Sequence, residues 1–186
     1  MPLFAFVAGL NGKQKMHSLY CGVTQTGKTT LAREHSRELH SRGHNVIVYD
    51  PVFTPTAGGG WGCKFYTSDF DVLIEHLNYT REPWHVFIDE AGDHFTMSNR
   101  DNWALLTRGR HAGLHINLIV QRPKMLAPTV RTQCNRAYVF RMSPDDTTTV
   151  GEDFGHGQLG KTLMDKGDYL VLNSGSPSIE KFNCFS

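Results

Sequence analysis

Gly22, Gly27, Lys28 and Thr29 fall in the spacing Gly-x4-Gly-Lys-Ser/Thr, inside the stretch Leu19-Tyr20-Cys21-Gly22-Val23-Thr24-Gln25-Thr26-Gly27-Lys28-Thr29-Thr30. The spacing suits a polyphosphate, because glycines let successive backbone N–H groups curl toward one anion and a following helix points its positive end at the same charge. Lys28 would reach the β- and γ-phosphates and Thr29 would put its hydroxyl on Mg²⁺, with Thr24, Gln25, Thr26 and Thr30 completing the loop's contacts. A second group with chemical meaning is Asp89-Glu90, at the end of the apolar run Trp84-His85-Val86-Phe87-Ile88. Acids closing a buried strand are costly unless they bind something, so Asp89 is a candidate for the metal and Glu90 for the base that deprotonates an attacking water. The plainer role for Asp89 is a cap on the next segment. Gln121 closes the run Leu114 to Val120 and is a candidate sensor of the γ-phosphate or the lytic water; its plain role is strand terminator.

These residues need elements that position them, and the same motif occurs twice. Gly155-His156-Gly157-Gln158-Leu159-Gly160-Lys161-Thr162 also matches, so the flanks must decide. Before Gly22, Met16 to Cys21 reads as a short strand. After Lys28, a run through Arg42 carries Leu31, Ala32, His35 and Leu39 on one helical face and stops at Gly43. Before Gly155 stands the polar run Ser143 to Phe154, read as a link and no strand, and only Leu163 to Lys166 separate Thr162 from Gly167. The second match is too poorly flanked to launch a helix with a useful dipole.

Further strands are expected at Asn45–Asp50, stopped by Pro51, and at Ala137–Met142, with a closing pair Tyr169–Leu172 and Ile179–Asn183 joined by a hairpin-type turn. Asp69 is placed to cap a helix carrying Phe70, Leu73, Ile74 and Leu77, and a further helix is expected across Asn99 to Thr107. Val52 to Gly62 must be a loop, in which Trp61 either stacks on a base or pins the loop to the body. Alternating strands and helices give an α/β fold, a phosphate-loop NTPase with a mainly parallel sheet flanked by helices and a C-terminal β-hairpin. The 186 residues suit one domain, 1–186, in which 1–15 form an N-terminal arm or an edge strand.

A formal net charge of +1 excludes the strongly basic footprint of a free-standing nucleic-acid binder, so a DNA partner would require cations gathered on one surface, such as a ring's lumen. No apolar run is long enough to span a bilayer, and no signal peptide is evident. The four cysteines show no C-x-x-C pair, and reduced thiols of a cytosol are the simpler reading. His111 and His115 have the spacing of helical metal ligands, but Gly113 and the strand after it make this coincidence.

Gly22 to Thr29, the strand ending Phe87-Ile88-Asp89-Glu90, and Arg110-His111-Ala112-Gly113-Leu114-His115 leading to Val120-Gln121-Arg122-Pro123 together resemble the FtsK–HerA superfamily of DNA-pumping ATPases. The resemblance covers roughly residues 16 to 142 and is nearest the genome-packaging ATPases of tailless, internal-membrane phages (tectivirus-like). It implies the additional-strand, catalytic-glutamate type of sheet, with the Gln121 strand between the phosphate-loop strand and the Asp89 strand. It also implies ATP with Mg²⁺, double-stranded DNA, a homo-oligomeric ring of five or six subunits, and capsid-vertex or portal partners. The setting would be the host cytoplasm or the packaging vertex. Arg110 matches the position of an arginine finger acting on the next subunit's nucleotide, with Arg108 as the neighbouring alternative and a solvated surface role open for both.

The resulting expectation is a motor that hydrolyses ATP to move double-stranded DNA into a viral shell. His94, Lys124 and Trp61 are candidates for its pore. A small-molecule kinase using Arg108, Arg110, Arg131 and Arg136 is an alternative, as is an assembly or secretion ATPase like those of filamentous phages. No Asn-Lys-x-Asp motif supports a signalling GTPase.

Overall fold

The computed structural model describes residues 16–52, 60–80, 82–157, 159 and 164–185. The expectation of an arm or edge strand in 1–15 lies outside these residues, as do Gln158, Gly160, Lys161 and Thr162 of the second motif. In chain order the elements are β1 (His17–Cys21), α1 (Lys28–Ser41), β2 (Val46–Tyr49), β3 (Phe65–Thr67), α2 (Phe70–Tyr79) and β4 (Trp84–Ile88). Then follow α3 (Ala104–Thr107), β5 (Leu114–Val120), α4 (Pro128–Arg131), β6 (Cys134–Phe140), α5 (Pro144–Phe154), β7 (Asp168–Asn173) and β8 (Ile179–Asn183).

The strands form one sheet in the order β3-β2-β4-β5-β1-β6-β7-β8. All pairings from β3 to β6 are parallel, and β7 and β8 are antiparallel additions. The strands β1, β2 and β4 are buried along their whole length, as the interior strands of a parallel sheet covered on both faces must be. On one face α1 lays Leu31, Ala32 and Leu39 against Tyr20, Val48, Phe87 and Ile119. On the other, Leu73 and Leu77 of α2, Leu106, Val130, and Val150 and Phe154 of α5 close over Leu19, Ile47, Val86, Ile116 and Val139. Parallel register sets the carboxyl ends of β1, β4 and β5 side by side, so all chemistry on the following loops gathers at one edge.

The fold class is the expected one, and β5 lies between β1 and β4. Several local expectations are corrected. Ser143 to Phe154 is not a link: Ser143 accepts from the Asp146 amide, Pro144 occupies the first turn, and Val150 and Phe154 share a buried face, so α5 forms. β6 begins at Cys134 and ends at Phe140, earlier than Ala137–Met142. Asn99 to Thr107 holds a 3₁₀ turn, Arg100–Trp103, before the single α turn of α3. The edge strand β3, only three residues long, carried too little alternation to be legible. Asp69 caps α2 as expected, accepting from the amides of Asp71 at 2.9 Å and Val72 at 3.3 Å.

Candidate nucleotide site

The loop from Gly22 to Gly27 joins β1 to α1 at the carboxyl edge. Its conformation needs its glycines for space as well as for torsion. Gly22 has φ 151°, and a Cβ there would stand 2.6 Å from Phe140 Cβ; Gly27 has φ 111°, and a Cβ there would stand 2.6 Å from Cys184 Sγ. Thr26 Oγ1 donates to the Val23 carbonyl at 2.8 Å, and Lys28 Nζ donates to the same carbonyl at 3.1 Å. The Val23 amide donates to the Arg141 carbonyl at 2.9 Å, tying the loop to the end of β6. Lys28 is buried, which lowers its pKa, while the nearby Asp89 and Glu90 work the other way. A desolvated ammonium at the start of a 14-residue helix is a strong anion site.

Asp89 directly follows β4 and is buried. Thr29 Oγ1 donates to Asp89 Oδ2 at 3.3 Å, so the hydroxyl and carboxylate expected to share a metal already face each other. Burial pushes the Asp89 carboxyl up to about 6; the charges of Asp50 and Glu90 add to this, while bonds from the Glu90 amide and Thr29 oppose it. Such a crowded carboxylate with a hydroxyl beside it is the hard-oxygen donor set that Mg²⁺ takes, so these residues fit the ion.

Glu90 adopts φ 49°, ψ 40°. It and Gln25, with φ 63°, are the two non-glycine residues with positive φ among the described residues, so the backbone strain outside glycine is confined to this edge. The left-handed turn sends Glu90 toward β5, where Gln121 Nε2 donates to its carboxylate at 3.1 and 3.5 Å. Gln121 Oε1 in turn accepts from Thr24 Oγ1 at 3.2 Å. Thr24, Gln121 and Glu90 thus form one hydrogen-bonded line from the phosphate loop to the proposed base, across three loops far apart in sequence.

The other expected residues lie elsewhere. Arg110 is at the amino edge of β5, where its Nη2 donates to the Gln133 carbonyl at 2.8 Å and Asn135 Oδ1 at 3.3 Å. Arg108 is exposed and lines a cleft of about 470 Å³ with Leu77, Thr80, Asp101 and Leu105, remote from the phosphate loop. Trp61 is buried: its indole donates to Asp50 Oδ2 at 3.0 Å and the Arg33 guanidinium lies 5.4 Å from its ring centre. It is held in the body of the fold with no face free for a base, while residues 53–59 of the expected loop lie outside the described residues. His94 stacks on Phe70 at 3.8 Å and hydrogen-bonds Tyr49 Oη at 2.8 Å, and Lys124 pairs with Asp145. All three pore candidates are therefore engaged within the chain. His115, in β5, stacks on His85 at 4.6 Å. Sequence reasoning passed over the residues packed behind Gly27: Phe140, Gly167 and Cys184. Only the closeness of β6, β7 and β8 to the loop reveals them.

The order β4-β5-β1, the loop ahead of α1, and Glu90 hydrogen-bonded to Gln121 just after the intervening strand define a phosphate-loop NTPase fold with an additional strand between the phosphate-loop strand and the acidic one. A model of the family described as the Type IV secretion-system coupling protein DNA-binding domain matches residues 4–99, just over half of the 186, and the chain belongs to that family. The resemblance to the FtsK–HerA superfamily is thereby borne out. Among solved structures, the fold is similar to the DNA-packaging ATPase B204 of Sulfolobus turreted icosahedral virus, with TM-score 0.73 and 20% identity over 90% of this chain and 96% of that one. The genome packaging NTPase B204 of Sulfolobus turreted icosahedral virus 2, in complex with ATP-gammaS, aligns with TM-score 0.70 and 18% identity over the same shares. The pCW3 conjugation coupling protein TcpA aligns with TM-score 0.66 and 15% identity over 91% of this chain and 60% of that one. No curated protein sequence matches significantly. Among the described residues no helix is long and apolar enough to cross a membrane.

Proposed function

We propose that the chain is an ATP-hydrolysing motor that translocates double-stranded DNA, packaging a viral genome into a preformed capsid. The observation that carries this reading is the line Thr24–Gln121–Glu90 beside Lys28, Thr29 and Asp89. A base held by a sensor that also touches the phosphate loop is an arrangement for activating water against a γ-phosphate. Lys28 and the amides from Gly22 to Thr30 bind the triphosphate. Thr29 and Asp89 would hold Mg²⁺, which when bound neutralises charge on the phosphates. Glu90 takes a proton from the attacking water, and Gln121 keeps its carboxylate aimed. A metabolite kinase needs a group that binds the acceptor and has no use for Glu90 as an activator of water.

The similarity to two viral packaging ATPases over nearly the whole of both chains supports packaging. Arg110 stands at the sheet edge opposite its own phosphate loop, so it would serve a nucleotide only across a subunit boundary. A ring of five or six subunits, with Arg110 as the finger, is our reading of that placement. The ring would work at a capsid vertex in the host cytoplasm or on the particle. A pump for conjugation or secretion is the second reading, favoured by the family match and by the likeness to TcpA.

The test is ATP turnover with and without duplex DNA, for the parent and for Glu90→Gln. Duplex DNA should raise the parent's rate, and E90Q should keep nucleotide binding while turnover falls roughly 10²- to 10⁴-fold. Unchanged turnover in E90Q would remove the base assignment, and a phosphorylated metabolite with no DNA response would replace the motor with a kinase.

A further inference from the structure

The polarity of a bound nucleotide is fixed by the phosphate-loop reading, and the placement of its base rests on that reading. The γ-phosphate must face Glu90 and Gln121, which follow β4 and β5 on one side of β1. A nucleoside triphosphate bound in an extended conformation then carries its base to the other side of β1, toward β6, β7 and β8. At this edge β6 ends, antiparallel β7 begins, and β8 ends. The segments Lys166-Gly167 and Cys184-Phe185 therefore meet beside the phosphate loop.

Their contacts are specific. The Gly167 amide donates to the Thr26 carbonyl at 3.1 Å, and the Cys184 amide donates to the Gly167 carbonyl at 2.9 Å. Asn183 locks the turn: its Oδ1 accepts from the Phe185 amide at 2.8 Å and its Nδ2 donates to Asp168 Oδ1 at 2.9 Å. The Phe185 ring lies against Gly167, where any Cβ would collide with it, yet Phe185 remains 57% exposed. An aromatic ring is thus held in the open by a braced turn, two hydrogen bonds away from the loop that grips the phosphates.

We propose that Phe185 is the base platform of the site: the base of the bound nucleotide stacks on its exposed face while the triphosphate runs past Gly27 toward Glu90. Every nucleobase presents a π face, so such a platform adds affinity without choosing among bases. Gly167 is required because a side chain there would take the ring's place.

Calorimetric titration of the full chain with ATP, GTP and tripolyphosphate, each with Mg²⁺, separates this proposal from the reading beneath it. Phe185→Ala should weaken ATP and GTP alike, on the order of ten-fold, and leave tripolyphosphate unchanged. Phe185→Trp should restore ATP binding, with indole emission quenched by ATP and not by tripolyphosphate. If F185A binds ATP as the parent does, the platform is wrong and the phosphate loop stands. If it weakens all three ligands equally, Phe185 supports the loop and touches no base. A parent chain that binds neither ATP nor tripolyphosphate overturns both.

Discussion

The chain carries the same eight-residue pattern twice, and the two copies fare differently. Gly22 to Thr29 leaves a buried strand and enters a 14-residue helix, so its amides and the helix's positive end converge. Gly155, which opens the second copy, ends a helix: it caps α5 in a left-handed conformation with φ 80°, and the His156 amide folds back to the Gly151 carbonyl at 2.6 Å. A glycine before a helix frees N–H groups for an anion, whereas a glycine after one lets the chain satisfy orphaned carbonyls. The same residue type does opposite electrostatic work depending on which helix end it meets.

The largest effect that could break this contrast comes from the two lysines. Lys28→Ala should reduce ATP turnover by about 10²- to 10³-fold or more, as loss of a key charge-stabilising donor does, whereas Lys161→Ala should leave it unchanged. Steady-state phosphate release measures both, and equal losses would abolish the distinction. The glycines give a smaller effect. Gly22→Ala forces a methyl against Phe140 and should cost about 1–3 kcal/mol of stability along with nucleotide affinity. Gly155→Ala meets no atom within 4 Å and should cost about 1–2 kcal/mol for its left-handed backbone alone, with turnover intact. Urea unfolding beside ATP titration separates the two outcomes.

The smallest effect concerns the packing that gives the first copy its context. His35 of α1 is hydrogen-bonded to Tyr20 of β1 at 2.7 Å, and burial lowers its pKa to about 3, with the Arg136 charge adding to the shift. An imidazole whose folded pKa lies below its unfolded value of roughly 6.5 takes up its proton first in the unfolded chain. Its contribution to stability is therefore complete above about pH 6.5 and is lost as pH falls toward its folded pKa. His17, lowered to about 4, and His85, lowered to about 3, both mainly by burial, act in the same direction. The melting temperature should fall between pH 7 and pH 5, and His35→Gln should shallow that fall. A flat profile in the parent would mean that these rings are not held neutral.

Much of the molecule was legible because its signals are local. The phosphate loop, the acid pair after an apolar strand, and the Asp69 cap each lie within a dozen residues, and the structure places them as read. The helix α5 was missed although Ser143, Pro144 and Asp146 spell a helix start, because the threonines after them read as polar linker. Trp61 presented two meanings, and only the Asp50 carboxylate, eleven residues earlier in the chain, decides between them.

The sequence by itself determined the chemistry available: which atoms can grip phosphate, which can meet a metal, and which can take a proton. These follow from side-chain type and short-range backbone geometry. Only the tertiary structure decided how they combine, because strand order is a long-range property set by how the sheet packs. It brought Gln121 between Thr24 and Glu90, held Arg110 at the far edge, and set Cys184 against Gly27 and Phe185 against Gly167 from far along the chain.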